Sequence, residues 1–289
     1  MEIEQHYIKN VEKLTPCPHI ALDVLSIAHE SDCSIPKLAS KIEKDPNLTA
    51  NMLQMGNSAY FGHMKKITSV TDIIVRLGLE SVKIIAITSA SVGLLKSSQK
   101  VYNLEPFSLW NHSYATAILS SIIGRHAKIE VNATLYTAAL LHDIGKVILN
   151  QPLLEASYDL TEPVPDIKTV EFERKVLHTD HARVGRALLE SWGLPKKLVV
   201  SVGMHHSLGD TADLPQNQKL LAHIVYLSNF LVNCIELNVT DQQKHFFNVL
   251  AFEDERNNLP QVPNFEENME SIIDAFFTKY TETVGVFVL

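Results

Sequence analysis

The sequence predicts an all-α fold of two helical lobes, and three observations lead to it. Apolar stripes at helical spacing recur along the chain, as in Leu38 and Ile42, then Leu48, Met52 and Met55, then Val184, Ala187 and Leu188. Cap residues and glycines punctuate those stripes at the intervals of short helices. With 289 residues, 46% hydrophobic and 20% charged, the chain has the profile of a globule that builds its core without covalent staples.

The first element signals lie in residues 1–100, expected to form one lobe. Met1 to His6 opens on acids and polar groups, unlike the charged-then-apolar start of a signal peptide. Ser34 before Ile35-Pro36 is an N-cap with proline in the first turn, and Asp45-Pro46 repeats the device for a helix from Pro46 to about Asn57. Ser69, with Asp72 three residues on, starts a helix from Val70 that Gly78 closes. The next helix, Glu80 to Leu95, is apolar almost all round and is expected to be buried. Its apolar run, Ile84 to Leu95, is shorter than the roughly 18 residues of a membrane span. The helix pair 34–44 and 46–57 has the outline of a helix-turn-helix. Its second member offers Asn47, Asn51 and Gln54 but no Lys or Arg for phosphates, so helix packing is the expectation.

Residues 101–235 are expected to form the second lobe, which carries the candidate chemistry. His112 follows Trp110 at the start of a helix running through Ala115, Ile118, Leu119 and Ile122. The apolar helix Ala133 to Leu141 ends on His142-Asp143, and Gly145 is expected to let the backbone leave it. Neighbouring helical positions point about 100° apart, so one metal reaches both side chains only from a helix end. A neutral imidazole and an ionised carboxylate suit Fe, Mn, Ni or Zn. His181, His205 and His206 supply further imidazoles, although His178 shares a helical face with His181 and competes for its role. Pro152, Pro163 and Pro165 suggest an irregular crossing before a helix starting near Val170. Thr179 or Asp180 caps the next helix, which stops at Gly193 and Pro195. Lys196 to His206 is expected to be a further amphipathic helix. Each histidine also has a structural alternative: His112 as a packed or capping residue, His142 as an imidazolium at a helix C-terminus paired to Asp143, His181 as a first-turn surface residue, and His205 and His206 as one core and one solvent residue.

The order His112, His142-Asp143, His181, His205-His206 resembles the HD superfamily of metal-dependent phosphohydrolases. Lys44-Asp45-Pro46-Asn47-Leu48-Thr49, Gly56-Asn57-Ser58-Ala59-Tyr60-Phe61, Ile67-Thr68-Ser69-Val70, Leu77-Gly78 and Trp192-Gly193-Leu194-Pro195 narrow it. Together these resemble the HDOD family, the HD-related output domain of bacterial signalling proteins, over residues 14 to 235. The resemblance implies an all-α regulatory module with His112, His142, Asp143, His181, His205 and His206 as ligands of a divalent metal. Three departures bear on activity. Asn229 stands where active HD phosphohydrolases carry a late aspartate, Ser108 replaces the glutamate of the cyclic-dinucleotide branch, and no Gly-Tyr-Pro follows His206.

Two readings follow. One is a stand-alone signalling module that binds a protein partner or a small signalling ligand. The other is a metal-dependent phosphohydrolase acting on a nucleotide or phosphodiester, with Lys146 or Arg183 neutralising charge that develops at phosphorus. The amide at Asn229 favours the first, and cyclic di-GMP hydrolysis is not expected. A third reading, nucleic-acid binding by the N-terminal lobe, is opposed by the net charge of −8 and the lack of a basic tract.

Cys17, Cys33 and Cys234 are odd in number with no close pair, which suits core filling in a reducing bacterial cytoplasm and opposes a thiolate zinc site. Residues 236–289 read as an extension, with helices over Asp241–Asn248 and Glu266–Tyr280 and a polar connection from Glu253 to Pro263. The apolar ending Phe287-Val288-Leu289 suggests a packed terminus, on this chain or on a second copy of it.

Overall fold

A helix that is buried on every side organises the molecule. In the computed structural model, which describes residues 2–9, 19–30, 32–57, 66–129, 133–156, 166–207, 209, 214–236, 246–247, 252 and 256–284, this is Ser108–His126. Fifteen consecutive positions apart from His112, Leu109 to Gly124, lie in the core. The elements before it are α1 (Glu2–Ile8), α2 (His19–His29), α3 (Ile35–Ile42), α4 (Pro46–Gly56) and α5 (Val70–Leu95), followed by a 3₁₀ turn, Lys100–Tyr102. The central helix is α6. After it come α7 (Ala133–Leu140), α8 (Ile144–Glu155), α9 (Asp166–Leu177), α10 (His181–Ser191), α11 (Lys196–Gly203), α12 (Gln216–Asn233) and α13 (Phe265–Val284). Among the described residues the protein is all-α apart from a two-residue antiparallel pair, β1 (Ile235–Glu236) and β2 (Phe246–Phe247).

The expected caps are present. Ser34 Oγ accepts from Lys37 N at 3.4 Å, Asp45 Oδ1 from Asn47 N and Leu48 N at 2.9 and 3.1 Å, and Ser69 Oγ from Asp72 N at 3.0 Å. Each satisfies an amide that the helix leaves unpaired, contributing about 1 kcal/mol. Gly78 has φ 75° and breaks α5 into the two segments read from the sequence. The Asn57 amide donates to Ile67 O at 2.9 Å and accepts from Ile67 N at 2.8 Å, joining the end of α4 to the approach to α5.

α2, α3 and α4 pack on α5, and α5 in turn packs on α6 and α7. On the other side α6 meets α7, α12 and α13, while α10 lies against α8, α11 and α1. A continuous apolar core therefore runs from Val24 to Val284 through both predicted lobes and the C-terminal helix. Thr88 Oγ1 and Tyr136 Oη form a buried 2.6 Å hydrogen bond between α5 and α7, and the Trp110 indole donates to Ser91 Oγ at 3.2 Å. α5 holds a stretch, Val75–Leu95, long and apolar enough to cross a membrane, with half of it buried inside the protein. It extends beyond the Ile84–Leu95 run by taking in a segment that carries Arg76, Glu80 and Lys83.

Several expectations are corrected. Gly145 does not end a helix: the chain turns at Leu141 to Asp143 and re-enters helix at Ile144, with Gly145 in its first turn. Pro152 lies inside α8, in the last turn, and marks no crossing; Pro163 and Pro165 fall outside the described residues. α9 begins at Asp166, four residues before Val170. α11 stops at Gly203, so His205 and His206 lie in a turn beyond it. Phe246–Phe247, expected in a helix, pair instead with Ile235–Glu236. The C-terminal helix forms as read, with Ile272, Ile273 and Phe276 buried against α6, and Tyr280 lies 6.4 Å from Tyr114 between ring centroids. Cys234 is buried and Cys33 half-buried, while Cys17 and Phe287 to Leu289 lie outside the described residues.

Candidate metal centre

Two turns and two helix starts deliver the histidines to one point. His142 and His205 each sit just past the end of a helix, α7 and α11. Each ring turns back so that Nδ1 donates to the carbonyl three residues earlier, Ala139 at 2.8 Å and Val202 at 2.6 Å. A proton fixed on Nδ1 leaves the Nε2 lone pair directed away from the helix. His181 is the first residue of α10, whose N-cap is Asp180 rather than Thr179; Asp180 Oδ1 accepts from Arg183 N at 2.9 Å. His178 is excluded: it closes α9 with φ 57° and is exposed.

Asp143 lies at the centre and is fully buried. Its Oδ1 is 3.2 Å from His181 Nε2 and 3.6 Å from His205 Nε2, neither aligned as a hydrogen bond. Its Oδ2 is 3.4 Å from His142 Nε2, 3.8 Å from His112 Nε2, and accepts from Lys146 Nζ at 2.8 Å. His206 Nε2 is 3.0 Å from His181 Nε2. The structure thus brings together His112, His142, Asp143, Lys146, His181, His205 and His206. It does not bring Arg183, whose more than half-exposed side chain places Nε 3.6 Å from Asp180.

Two residues that brace His181 escaped the sequence reading. Glu173, on α9, is fully buried; its Oε2 accepts from His181 Nδ1 at 2.7 Å and from His181 N at 2.9 Å, and its Oε1 accepts from Tyr102 Oη at 2.6 Å. Eight residues before His181 it sits on a different helix, so no single helical period links them; its only signal is an acid at a position that faces the core. Tyr102 is more than 70 residues away and carries no sequence signal at all.

The electrostatics follow from burial and these contacts. Burial works against the charge of Asp143, but His142, the Lys146 ammonium and the approach of His181 outweigh it and hold the carboxyl well below the usual carboxylate range. Burial pushes His205 down to about 4, so it is neutral. Burial also opposes charge on His181, but the Glu173 carboxylate, hydrogen-bonded to Nδ1, and the Asp143 carboxylate beside Nε2 carry it up to about 10. Glu173 holds a proton on His181 Nδ1, and a cation at Nε2 would displace any proton there.

The residues fit a divalent cation. Ligand atoms of Asp143, His181, His205 and His206 all lie within 4.8 Å of one another, and those of His112, His142 and Asp143 form a second group. Within the first group, Asp143 Oδ1 and His205 Nε2 are buried with no hydrogen-bond partner. Leaving such an atom unsatisfied costs about 1–3 kcal/mol, which coordination removes. Imidazoles with one carboxylate suit Fe, Mn, Ni or Zn over Mg or Ca. The second group is weaker. His112 Nε2 is 2.9 Å from Asn229 Oδ1 and 3.3 Å from His142 Nε2, so an Asn amide stands where a carboxylate would neutralise charge.

A family model described as the HDOD domain matches residues 14–208. The chain belongs to the HDOD family. It is 24% identical over 232 residues to an uncharacterized protein of Treponema pallidum, a match that covers 78% of this chain and 43% of that one. The HDOD chain therefore spans less than half the length of its curated relative. Its fold is that of an HDOD domain protein of unknown function from Geobacter sulfurreducens, at 21% identity, covering 100% of this chain and 98% of that one, with a TM-score of 0.68. It is also that of a proposed metal-dependent phosphohydrolase from Shewanella amazonensis, at 19% identity, covering 99% and 100%, with a TM-score of 0.61. At such identities the likeness is one of fold.

Proposed function

We propose that this HDOD protein is a regulatory module of the bacterial cytoplasm that holds one divalent cation on Asp143, His181, His205 and His206. On this reading it acts by binding a protein partner or a small signalling ligand, and it does not hydrolyse cyclic di-GMP. The observation that carries the reading is Lys146. Its buried ammonium lies 2.8 Å from Asp143 Oδ2, the oxygen a second cation with His112 and His142 would need.

The charge balance supports a single cation. The carboxylates touching the histidines are Asp143 and Glu173, and Lys146 offsets one of them. Asn229 adds an oxygen but no charge. Two divalent cations would meet too little negative charge in a buried setting, where uncompensated charge is costly. When bound, a cation supplies Lewis-acid polarisation to an oxygen ligand and fixes the rings that hold it. Glu173 orients His181 through Nδ1, Val202 O orients His205, and Tyr102 orients Glu173. These contacts make a rigid junction between α8, α9, α10 and the turn after α11, a suitable place for a structural cation in a signalling scaffold.

The second reading is a metal-dependent phosphohydrolase, and the second ligand group of His112, His142 and Asp143 favours it. In it His112, His142 and Asn229 complete a second position and Lys146 neutralises charge at phosphorus.

Elemental analysis of untagged, chelator-free protein, with a parallel assay against nucleotides and phosphodiesters, tests the choice. About one metal per chain with no turnover is the expected result, and His205→Ala should abolish metal content. Two metals per chain with turnover would establish the second reading; a metal-free, folded protein would remove the cation from both.

A further inference from the structure

A concave site lies beside the segments that carry His181 and His205, and its chemistry is different. It is a cleft of about 350 Å³, on the scale of small-ligand pockets. Arg174, Arg183 and Arg186 line it, with the carboxylates of Glu4 and Glu190 and the segment around Gly203 and Met204.

The three arginines are held in different ways. Asp180 is fully buried, accepting from Arg174 Nε at 2.7 Å and lying 3.6 Å from Arg183 Nε. Its Oδ1 is taken by the Arg183 backbone amide. One buried carboxylate thus anchors two arginines by their Nε atoms, which leaves the outer guanidinium nitrogens unclaimed by Asp180. Arg186 has no ion pair among the described residues, and its stem lies over Gly203: a Cβ on that glycine would come within 2.6 Å of Arg186 Cδ. A bare backbone at position 203 therefore lets the Arg186 stem lie across the cleft floor.

We propose that this cleft binds a small phosphate-bearing anion. A guanidinium fork pairs bidentately with phosphate oxygens, and a tetrahedral phosphoryl group presents enough oxygens to engage several forks at once, which a single carboxylate does not. The position has a structural consequence. Asp180 caps the helix that begins with His181, and Gly203 and Met204 lead into His205-His206, so the occupant contacts both segments that carry the candidate metal ligands. The proposal does not depend on a cation being bound.

Isothermal titration of the full chain at low salt with inorganic phosphate, pyrophosphate and acetate, with and without chelator, is the test. Pyrophosphate should bind more tightly than phosphate, and acetate should not bind. Arg183→Gln and Arg186→Gln should each weaken pyrophosphate binding tenfold or more. Glu190→Gln, which removes an exposed carboxylate from the rim, should tighten it several-fold. Unchanged circular dichroism will show that the variants fold, as expected for Arg183 and Glu190 on the surface. Absence of binding at millimolar pyrophosphate, or equal binding by wild type and both arginine variants, would overturn the proposal. Binding that chelator abolishes while the arginine variants retain it would place the anion on a cation instead.

Discussion

Substituting Gly145 by alanine should destabilise this protein strongly. Gly145 lies in the first turn of α8 where α10 crosses it. A Cβ there would fall on the carbonyl oxygen of His181, 2.7 Å from its carbonyl carbon and 2.9 Å from its Cα. Carbon contacts settle at about 3.5–4.0 Å, so the two helices would have to part by about 1 Å. Both partners are backbone, so no rotamer change relieves the clash. Overpacking of rigid cores costs about 1–3 kcal/mol, and a backbone-on-backbone clash belongs at or above the top of that range. For a chain of this size about 3 kcal/mol lowers the melting temperature by roughly 6–12 °C. The same displacement would move His181 relative to Asp143 and weaken any cation they hold. Urea and thermal unfolding measure the first effect and metal content the second. Gly185→Ala is the control, since its Cβ would meet Ile144 Cγ2 at 3.3 Å and Gly145 N at 3.4 Å, a contact that small shifts relieve. A loss below about 1 kcal/mol for Gly145→Ala, or equal losses for the two variants, would refute the reasoning.

Three further outcomes follow from the same geometry. Lys146→Met leaves Asp143 buried without its ammonium, at a cost of about 3–5 kcal/mol in metal-free protein; added Zn or Mn should restore more melting temperature to this variant than to wild type, and an equal response would separate Lys146 from the cation. Asn229→Asp puts a carboxylate within reach of His112 Nε2, now 2.9 Å from Asn229 Oδ1, and should raise metal content from about one to about two per chain; unchanged stoichiometry would show that charge does not limit the second position. Burial pushes His29 down to about 4 from 6.5, so between those values the unfolded chain binds the proton and the folded one does not. Stability should therefore be unaffected by His29 above pH 6.5 and fall as pH drops toward 4, by at most about 3 kcal/mol; His29→Asn, which keeps a partner for Thr137 Oγ1, should flatten that part of the profile, and an unchanged slope would dismiss the assignment.

What the sequence by itself determined about this protein is local. Ser34, Asp45 and Ser69 start helices because a short polar side chain reaches an unpaired amide two or three residues on, and Gly78 breaks α5 because its backbone takes a positive φ. Those features depend on a handful of adjacent atoms, as does the turn that places His142 Nδ1 on Ala139 O. The ordered histidines also marked the candidate site, and the structure gathers the five sequence-named histidines with Lys146 around Asp143. Tertiary structure decided the rest. Gly145 looked like a helix stop because glycine is common there, yet its requirement comes from α10, 36 residues further on. Glu173 and Tyr102 orient His181 across separate elements, and no periodicity connects residues that meet only by packing. Arg183 carried the right charge for the site but faces the opposite side of α10, because two helical steps of about 100° separate it from His181. Side-chain type and spacing set which groups are available; the crossing of α8, α10 and the turn after α11 sets which of them meet.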